Sequence, residues 1–344
     1  MRTCICTLVM ILGSISWGQV PESLSDADTP DTLQLTVEMS FIELGDEPQY
    51  VELRGTSPEN PVLLFLHGGP GWPQTPYLRY FNTLLPAAVN LVAWEQSGCG
   101  KSFLNNPNPK KLSLEQIIAD AHELTQILKE RFKQERIYLA GFSWGSVIGL
   151  HLADRYPEDY VAYIGISQVI DLKRGMQLSR EWLKEQARKN GDGRTLHILD
   201  QIENRDTTIG RTDLDFFLAQ FEQLNKYGGS IYAREVEEQI EKVLTMYDDY
   251  QGYDWMGGFA YSASRLDADL FAIDLTGIQE LKIPAYFITG RHDRNVPTEI
   301  IAEYVTRLKA PKKEIVWFEN SGHEPLEEEA RRFDEEIIRI VNEP

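Results

Sequence analysis

The feature that most constrains this 344-residue chain is a serine between two glycines, in the segment GFSWG at residues 141–145. The apolar run RIYLAGF precedes the serine, and an apolar run with helical spacing follows it. A side chain at so tight a strand-to-helix turn is forced out of the sheet edge, and the residues two before and two after it must be small. Gly141 and Gly145 are both small, so the pattern predicts that Ser143 is presented at the carboxyl end of a strand.

Strand-like and helix-like patterns alternate along most of the chain. Compact apolar runs, typical of strands, are PVLLFLHG, NLVAWEQ, YVAYIGIS, IPAYFITG and EIVWFE, and residues 34–44 and 50–54 alternate between polar and apolar. The run after Ser113 has an apolar helical stripe, and Ser113 and Gln116 form a capping-box pattern at its start. A terminal helix is expected over residues 327–341. This order predicts an α/β fold with a mainly parallel sheet covered by helices on both faces.

Residues 171–269 interrupt this alternation with helical patterns rich in aromatic and charged residues. The sheet pattern restarts afterwards, so an inserted helical lid needs fewer assumptions than an independent second domain. We therefore expect a core built from residues 19–170 and 270–344, with the lid between them.

Residues 1–18 have the layout of a cleaved export signal: Arg2, an apolar stretch over residues 7–15, then small residues around Trp17. The stretch is too short to span a membrane, so we expect an exported protein, periplasmic or secreted. The remaining chain holds one cysteine, Cys99, which cannot form an internal disulfide and is expected to be a packing residue.

The formal charge of −19 excludes some classes of partner. An acidic surface repels phosphate backbones and anionic membranes, so a short peptide or a small molecule is the expected partner, and nucleic acid is not. The segment SGCGKS resembles the end of a phosphate-binding loop, but Glu95 stands where the motif needs its first glycine. ATP binding is therefore not expected.

A serine hydroxyl is not ionised at neutral pH, so Ser143 needs a general base and an acid that orients it. His323 follows the last predicted strand in FENSGHEP, and Asp293 follows the preceding one in FITGRHDRNVP. The chain order serine, aspartate, histidine is one known order for such a triad. Asp171, after the strand that follows the serine helix, is the rival acid, whereas Asp274 is expected to be a loop or cap residue.

The segment HGGPG at residues 67–71 directly follows a predicted central strand. Glycines there let backbone amides approach a substrate oxygen closely, and the amides of Gly69 and Trp144 would form the pair that holds an oxyanion. A cis peptide between Gly69 and Pro70 is a further hypothesis. This chemistry requires neither a metal nor an organic cofactor.

With these residues assembled, the chain resembles the α/β-hydrolase superfamily, and within it the proline iminopeptidase family of serine aminopeptidases, over nearly all of the mature chain. HGGPG, GFSWGS, GRHD and SGHEP match that family's motifs in order and spacing. The resemblance implies the α/β-hydrolase fold, with Ser143 as nucleophile, His323 as base and Asp293 as orienting acid. It also assigns the amides of Gly69 and Trp144 to the oxyanion hole.

The chain departs from that family at its substrate-binding elements. WEQSGCGKS is similar to a segment usually read as Asp-Gln-Arg-Gly-x-Gly-x-Ser, with Glu95 and Ser97 replacing the acid and the arginine. The predicted lid has no clear copy of the family's tryptophan-glutamate element, whose acids hold a free N-terminal amine. The candidate substrate-binding residues are Glu95, Gln96, Glu181, Glu185, Asp248, Asp249 and Asp254.

The sequence thus predicts an exported serine hydrolase. The resemblance favours removal of an N-terminal residue, especially proline, from short peptides. Hydrolysis of a small ester, lactone or amide by the same triad is the alternative. A binding protein on an inactive hydrolase scaffold is the third possibility, although all the triad residue types are present.

Overall fold

The structure, a computed structural model, describes residues 34–204 and 212–343. The export signal expected at residues 1–18 lies outside the described residues and stays a prediction. The strands, in chain order, are β1 (Thr36–Leu44), β2 (Glu47–Gly55), β3 (Val62–Leu66), β4 (Asn90–Glu95), β5 (Ile137–Phe142), β6 (Tyr160–Ile166), β7 (Ala285–Gly290) and β8 (Lys313–Phe318).

These strands form one sheet in the order β1-β2-β4-β3-β5-β6-β7-β8. β1 and β2 pair antiparallel, and β2 also runs antiparallel to β4. All other neighbours are parallel. The architecture confirms the predicted α/β class with a mainly parallel sheet.

The apolar runs that predicted the central strands are continuous because both faces of the sheet are buried. In β3, Leu64 and Leu66 belong to one apolar cluster, whereas Leu63 and Phe65 belong to the cluster on the other side. All four side chains are at most 1% exposed. Side chains alternate along a strand, so a strand covered on both faces must be apolar at every position.

Helices cover both faces. Their bounds are α1 (Thr75–Phe81), α2 (Leu85–Ala88), α3 (Gly100–Asn105), α4 (Leu114–Phe132), α5 (Trp144–Arg155), α6 (Leu172–Lys189), α7 (Gly193–Asn204), α8 (Asp213–Tyr227), α9 (Glu237–Met246), α10 (Trp255–Arg265), α11 (Asp267–Phe271), α12 (Thr298–Arg307), α13 (Pro325–Glu328) and α14 (Ala330–Val341). Apolar side chains of α4, α5 and α12 pack on one face, and those of α1, α2 and α14 pack on the other.

Two predictions about helix ends need correction. The terminal helix expected over residues 327–341 is two helices, α13 and α14, separated at Glu329, whose φ of −127° and ψ of 48° are not helical. The capping box at Ser113 is half formed, since its side chain accepts the Gln116 N–H but no return bond from Gln116 is present among the described contacts.

Within the described part of the chain, no helix is both long and apolar enough to cross a bilayer.

Helices α6 to α11 lie within residues 172–204 and 212–271, here called the helical segment. The segment contacts the loops that follow the strands: the Ser179 hydroxyl donates to Arg294 O (2.5 Å), and the Ser262 hydroxyl donates to Gly98 O (2.7 Å). The sheet resumes at β7. The precise limits of core and lid stay a prediction.

Candidate active site

Ser143 lies at the sharp turn between β5 and α5. Its φ of 49° and ψ of −112° are rarely adopted by a residue with a side chain, and the surrounding packing holds them. A Cβ at Gly141 would lie 2.4 Å from Gly145 O, and a Cβ at Gly145 would lie 2.2 Å from Leu66 O. Both glycines are therefore required by the close approach of the turn to its own helix and to β3.

The imidazole of His323 reaches Ser143 from the loop after β8. His323 Nε2 lies 3.0 Å from Ser143 Oγ. His323 is 4% exposed, and the centroid of its ring lies 5.3 Å from the centroid of the Phe142 ring. The loop carries His323 to this position because β8 is parallel to β5 and ends at the same edge of the sheet.

Asp293 holds the other side of the imidazole. Its Oδ2 lies 2.8 Å from His323 Nδ1, and its Oδ1 accepts the N–H groups of Asn295 and Val296, both at 2.8 Å. The carboxylate is fully buried. The ends of β7 and β8 are paired in register at Gly290, so the loops bearing Asp293 and His323 leave the sheet side by side.

The rival acid lies elsewhere. Asp171 caps α6 by accepting the Arg174 N–H (2.9 Å), and it forms an isolated bridge with Asp274. Asp274 accepts from both the N–H and the hydroxyl of Thr276, as expected of a loop residue. Neither carboxylate contacts His323 in the described structure.

Burial lowers the pKa of His323, but attraction to Asp293 and their hydrogen bond outweigh it, so the pKa is raised above 6.5. Hydrogen bonding through Nδ1 leaves Nε2 free to accept a proton from Ser143. The arrangement can therefore move a proton from the hydroxyl to a base that is oriented by a carboxylate.

The HGGPG loop lies directly against Ser143. Leu66 of β3 pairs with Gly141 of β5, and a Cβ at Gly68 would lie 3.5 Å from the Cβ of Ser143. The Gly69–Pro70 peptide is cis, as hypothesised. Trp144 begins α5, so its backbone N–H belongs to the unpaired first turn of a helix.

Gln96 lies beside this loop, whereas Glu95 is part of a different set of contacts. The Trp144 indole donates to Gln96 Oε1 (3.1 Å), and Gln96 Nε2 is buried without a hydrogen-bond partner among the described residues. Glu95 is fully buried and accepts the Lys101 N–H (2.6 Å) and the Tyr250 hydroxyl. Burial raises the pKa of Glu95.

Cys99 is also buried, and burial raises the pKa of its thiol. A buried, protonated thiol is a poor nucleophile. This placement fits the packing role expected from the sequence.

The acids proposed on the helical segment lie on its surface or in ion pairs. Glu181 accepts from Gln177 and Glu185 pairs with Lys189 on the exposed side of α6, and Asp254 caps α10. Asp248 accepts from Gln251, and Asp249 pairs with Arg79 and Lys101. In the described structure none of these acids contacts Ser143, His323 or Asp293.

Sequence reasoning missed three glutamates directly after His323, of which Glu327 and Glu328 are buried and Glu324 is half-buried. Glu324, Glu327 and Glu328 form no ion pair with a lysine or arginine of the described residues. Burial raises the pKa of all three, that of Glu324 to about 7. The run HEPLEEE contains four acids within six residues, but such charge runs are usually solvated, so nothing in the run indicates burial.

Comparison with known proteins agrees with this fold. A family model described as the alpha/beta hydrolase family matches residues 63–336. The probable aminopeptidase YbaC of Bacillus subtilis is 30% identical over 309 residues, which are 88% of this chain and 95% of that protein. A proline iminopeptidase of Saccharolobus solfataricus is 23% identical over 86% of this chain and 89% of its own length.

Among solved structures, the proline iminopeptidase-related protein TTHA1809 of Thermus thermophilus is similar, with a TM-score of 0.62 at 19% identity. The match covers 89% of this chain and 97% of that one. With the matched family model spanning most of the sheet and the site, the chain belongs to the alpha/beta hydrolase family.

Proposed function

We propose that this protein is a serine hydrolase that acts as an aminopeptidase and releases the N-terminal residue, proline above all, from short peptides. The observation that carries the proposal is the hydrogen-bonded chain from Ser143 through His323 to Asp293, at 3.0 and 2.8 Å. The similarity to proteins named as aminopeptidases supports the choice of substrate.

In the first half of the proposed reaction, Ser143 Oγ attacks the carbonyl carbon of the first residue while His323 Nε2 takes the hydroxyl proton. The amides of Gly69 and Trp144 hold the negative oxygen of the tetrahedral intermediate. The C–N bond then breaks, the imidazolium donates its proton to the departing amine, and the aminoacyl ester of Ser143 remains.

In the second half, a water molecule replaces the departed amine. His323 takes a proton from this water as its oxygen adds to the ester carbon, and the bond between that carbon and Ser143 Oγ breaks. The proton returns to Ser143, and the free amino acid leaves. Asp293 stabilises the imidazolium in both halves without taking the proton.

The buried glutamates beside His323 favour a substrate with a positive charge. Glu327 is 3% exposed, its Oε1 accepts from Gln74, and its Oε2 has no hydrogen-bond partner among the described residues. Buried carboxyl groups without a nearby cation are unfavourable, and an ammonium group placed among them would relieve that cost. A free N-terminal amine has this charge at neutral pH, whereas a simple ester does not.

An aromatic cluster favours an apolar ring such as that of proline. Trp72 directly follows the HGGPG loop, and the centroid of its ring lies 5.3 Å from that of Trp255 in the helical segment. The Trp255 ring also packs on Tyr77, with a distance of 6.0 Å between ring centroids. Burial raises the pKa of the Tyr77 hydroxyl, and the charges of Glu327 and Glu324 raise it further. We propose that the helical segment covers this space as a lid that excludes long chains.

The test is a substrate panel: a prolyl arylamide with a free amine, the same compound with the amine blocked, and a simple aryl ester. We expect the free prolyl compound to be cleaved with the highest kcat/KM and the blocked form to be cleaved poorly. Ser143→Ala, which keeps the turn but lacks the hydroxyl, is the matched control and should cleave none of them.

Other outcomes would redirect the proposal. Equal cleavage of the free and blocked compounds, or faster cleavage of the ester, would contradict an aminopeptidase and support the ester, lactone or amide alternative. No cleavage of any compound, together with no reaction of Ser143 with a fluorophosphonate, would support a binding protein on an inactive scaffold.

A further inference from the structure

One buried carboxylate holds the backbone on both sides of His323. Glu328, in α13, is 9% exposed, and its Oε1 accepts the N–H groups of Gly322 (2.8 Å) and Glu324 (3.1 Å). These are the residues directly before and after His323. The carboxylate therefore fixes the peptide groups that carry the imidazole.

The second oxygen of Glu328 binds the helical segment. Its Oε2 accepts the N–H groups of Tyr232 and Ala233, both at 2.8 Å. The same stretch binds His323 directly, because Ser230 O accepts the His323 N–H at 2.6 Å. Glu328 thus joins the segment to the loop of the base.

The contact between these two loops leaves no spare room. A Cβ at Gly322 would lie 2.2 Å from Ser230 O, so the backbones touch. From the sheet side, the Ser167 hydroxyl donates to His323 O at 2.8 Å. The position of the imidazole relative to Ser143 therefore depends on hydrogen bonds from three directions.

We propose that Glu328 is a positioning residue for His323, an inference that rests on the proposed serine hydrolase function. Glu328 does not touch the reacting atoms. It acts through four N–H groups, and losing them would let His323 move away from Ser143 Oγ. Proton transfer requires hydrogen-bond contact, and a shift of about 1 Å in a catalytic group can cost roughly a hundredfold in rate.

Two of the four N–H groups belong to the helical segment. His323 is therefore held in place only when that segment is packed against the loop that follows β8.

Glu328 also acts on His323 by its charge. Burial lowers the pKa of His323, and the carboxylates of Asp293, Glu324 and Glu328 raise it. Replacing Glu328 by glutamine removes one of these charges, so the pKa of the imidazole should fall. A residue that only supported the fold would not produce this shift.

The test compares Glu328→Gln and Glu328→Asp by the rate at which a fluorophosphonate labels Ser143, measured against pH. Labelling needs the nucleophile and its base but no peptide subsite. Glu328→Gln keeps the size of the side chain but places an amide against N–H donors, and we expect labelling to slow by roughly 10- to 100-fold. The acid limb of its pH profile should move to lower pH. Glu328→Asp keeps the charge, so it should slow labelling without moving that limb.

Glu329→Gln is the matched control. Glu329 accepts the Asn320 N–H (3.0 Å) and the Ser321 hydroxyl (2.8 Å), which precede Gly322, so its loss should leave labelling within about threefold of the wild type. Wild-type labelling rate and pH profile in Glu328→Gln would overturn the inference. If that variant does not fold, Glu328→Asp decides alone: wild-type labelling in it overturns the inference, and slowed labelling with an unmoved acid limb supports it. A wild-type protein that is not labelled would instead refute the proposed function.

Discussion

The distinguishing feature of Ser143 is its backbone conformation. A serine is an ordinary residue, but a serine at a φ of 49° between β5 and α5 projects its hydroxyl away from the sheet. Its reactivity then depends on what the neighbouring loops bring to it. His323 and Asp293 come from loops 180 and 150 residues further along the chain, and the protonation state of His323 sets when the hydroxyl can act.

The pH dependence of hydrolysis should report the raised pKa of His323. The imidazole must be neutral to accept the serine proton, so activity is lost as pH falls through that pKa. Because Asp293 raises the pKa above 6.5, we expect the acid limb of kcat/KM on an aryl ester to have its midpoint above 6.5. Asp293→Ala should lower both the rate and this midpoint. A midpoint below 6.5 in the wild type would mean that burial outweighs the carboxylate.

Glu324→Gln should weaken selection for a free amine. The variant keeps the backbone N–H that binds Glu328 but loses the charge, so kcat/KM for the free prolyl arylamide should fall by about tenfold or more relative to the aryl ester. Glu181→Gln, at an exposed acid of α6 that the sequence suggested for this role, is the control and should leave the ratio unchanged. If Glu181→Gln changes the ratio and Glu324→Gln does not, the amine is held by the helical segment instead.

The elements of the site were predictable because the central strands β3, β4, β5 and β7 are buried at every position. β3, β5 and β7 are uninterrupted apolar runs, and the motifs follow their carboxyl ends, so convergence of Ser143, Asp293 and His323 at one edge follows from parallel topology. The buried glutamates after His323 were not predictable in the same way. An acid on a short helix is usually solvated, and Glu328 is buried because its four N–H partners include two that lie 95 and 96 residues away.

The β5–α5 turn should not tolerate a side chain at Gly145. Gly145→Ala would place its Cβ 2.2 Å from Leu66 O, a backbone atom that cannot move without disturbing β3, and we expect it to lower the free energy of unfolding by about 1–3 kcal/mol or more. Gly193→Ala, in α7 with nothing within 4 Å of the new Cβ, is the control and should be neutral or stabilising by up to about 1 kcal/mol. Urea unfolding measures both. Equal stability of the two variants would contradict the close approach.

At the scale of the whole molecule, the helical segment is held on the core by ion pairs. Arg79 Nη1 and Nη2 bind Asp249 at 3.0 and 2.9 Å, and Lys101 binds the same carboxylate. Burial raises the pKa of Asp249, but the bonds from Arg79 and Lys101 lower it to about 2. The sequence suggested Asp249 as an amine binder because periodicity identifies a charged helix face but not the core residue that pairs with it.

Tyr250→Phe should loosen this docking. The Tyr250 hydroxyl donates to Glu95, which is fully buried, so the variant leaves a carboxyl oxygen without its partner at a cost of about 1–3 kcal/mol in the free energy of unfolding. Tyr80→Phe is the control, because the Tyr80 ring packs on Phe81 and its hydroxyl has no hydrogen bond among the described contacts. That change should cost less than about 0.5 kcal/mol. Equal losses in the two variants would argue against a structural role for the Glu95 contact.

The most direct test of the proposed chemistry is to treat the protein with a fluorophosphonate and map the adduct by peptide mass spectrometry. We predict one adduct, on Ser143, in stoichiometric yield, with parallel loss of hydrolysis. Ser143→Ala should form no adduct, and its kcat should be lower by about four to six orders of magnitude. An adduct on another residue, or an unlabelled Ser143 in a protein that still hydrolyses its substrates, would contradict the account.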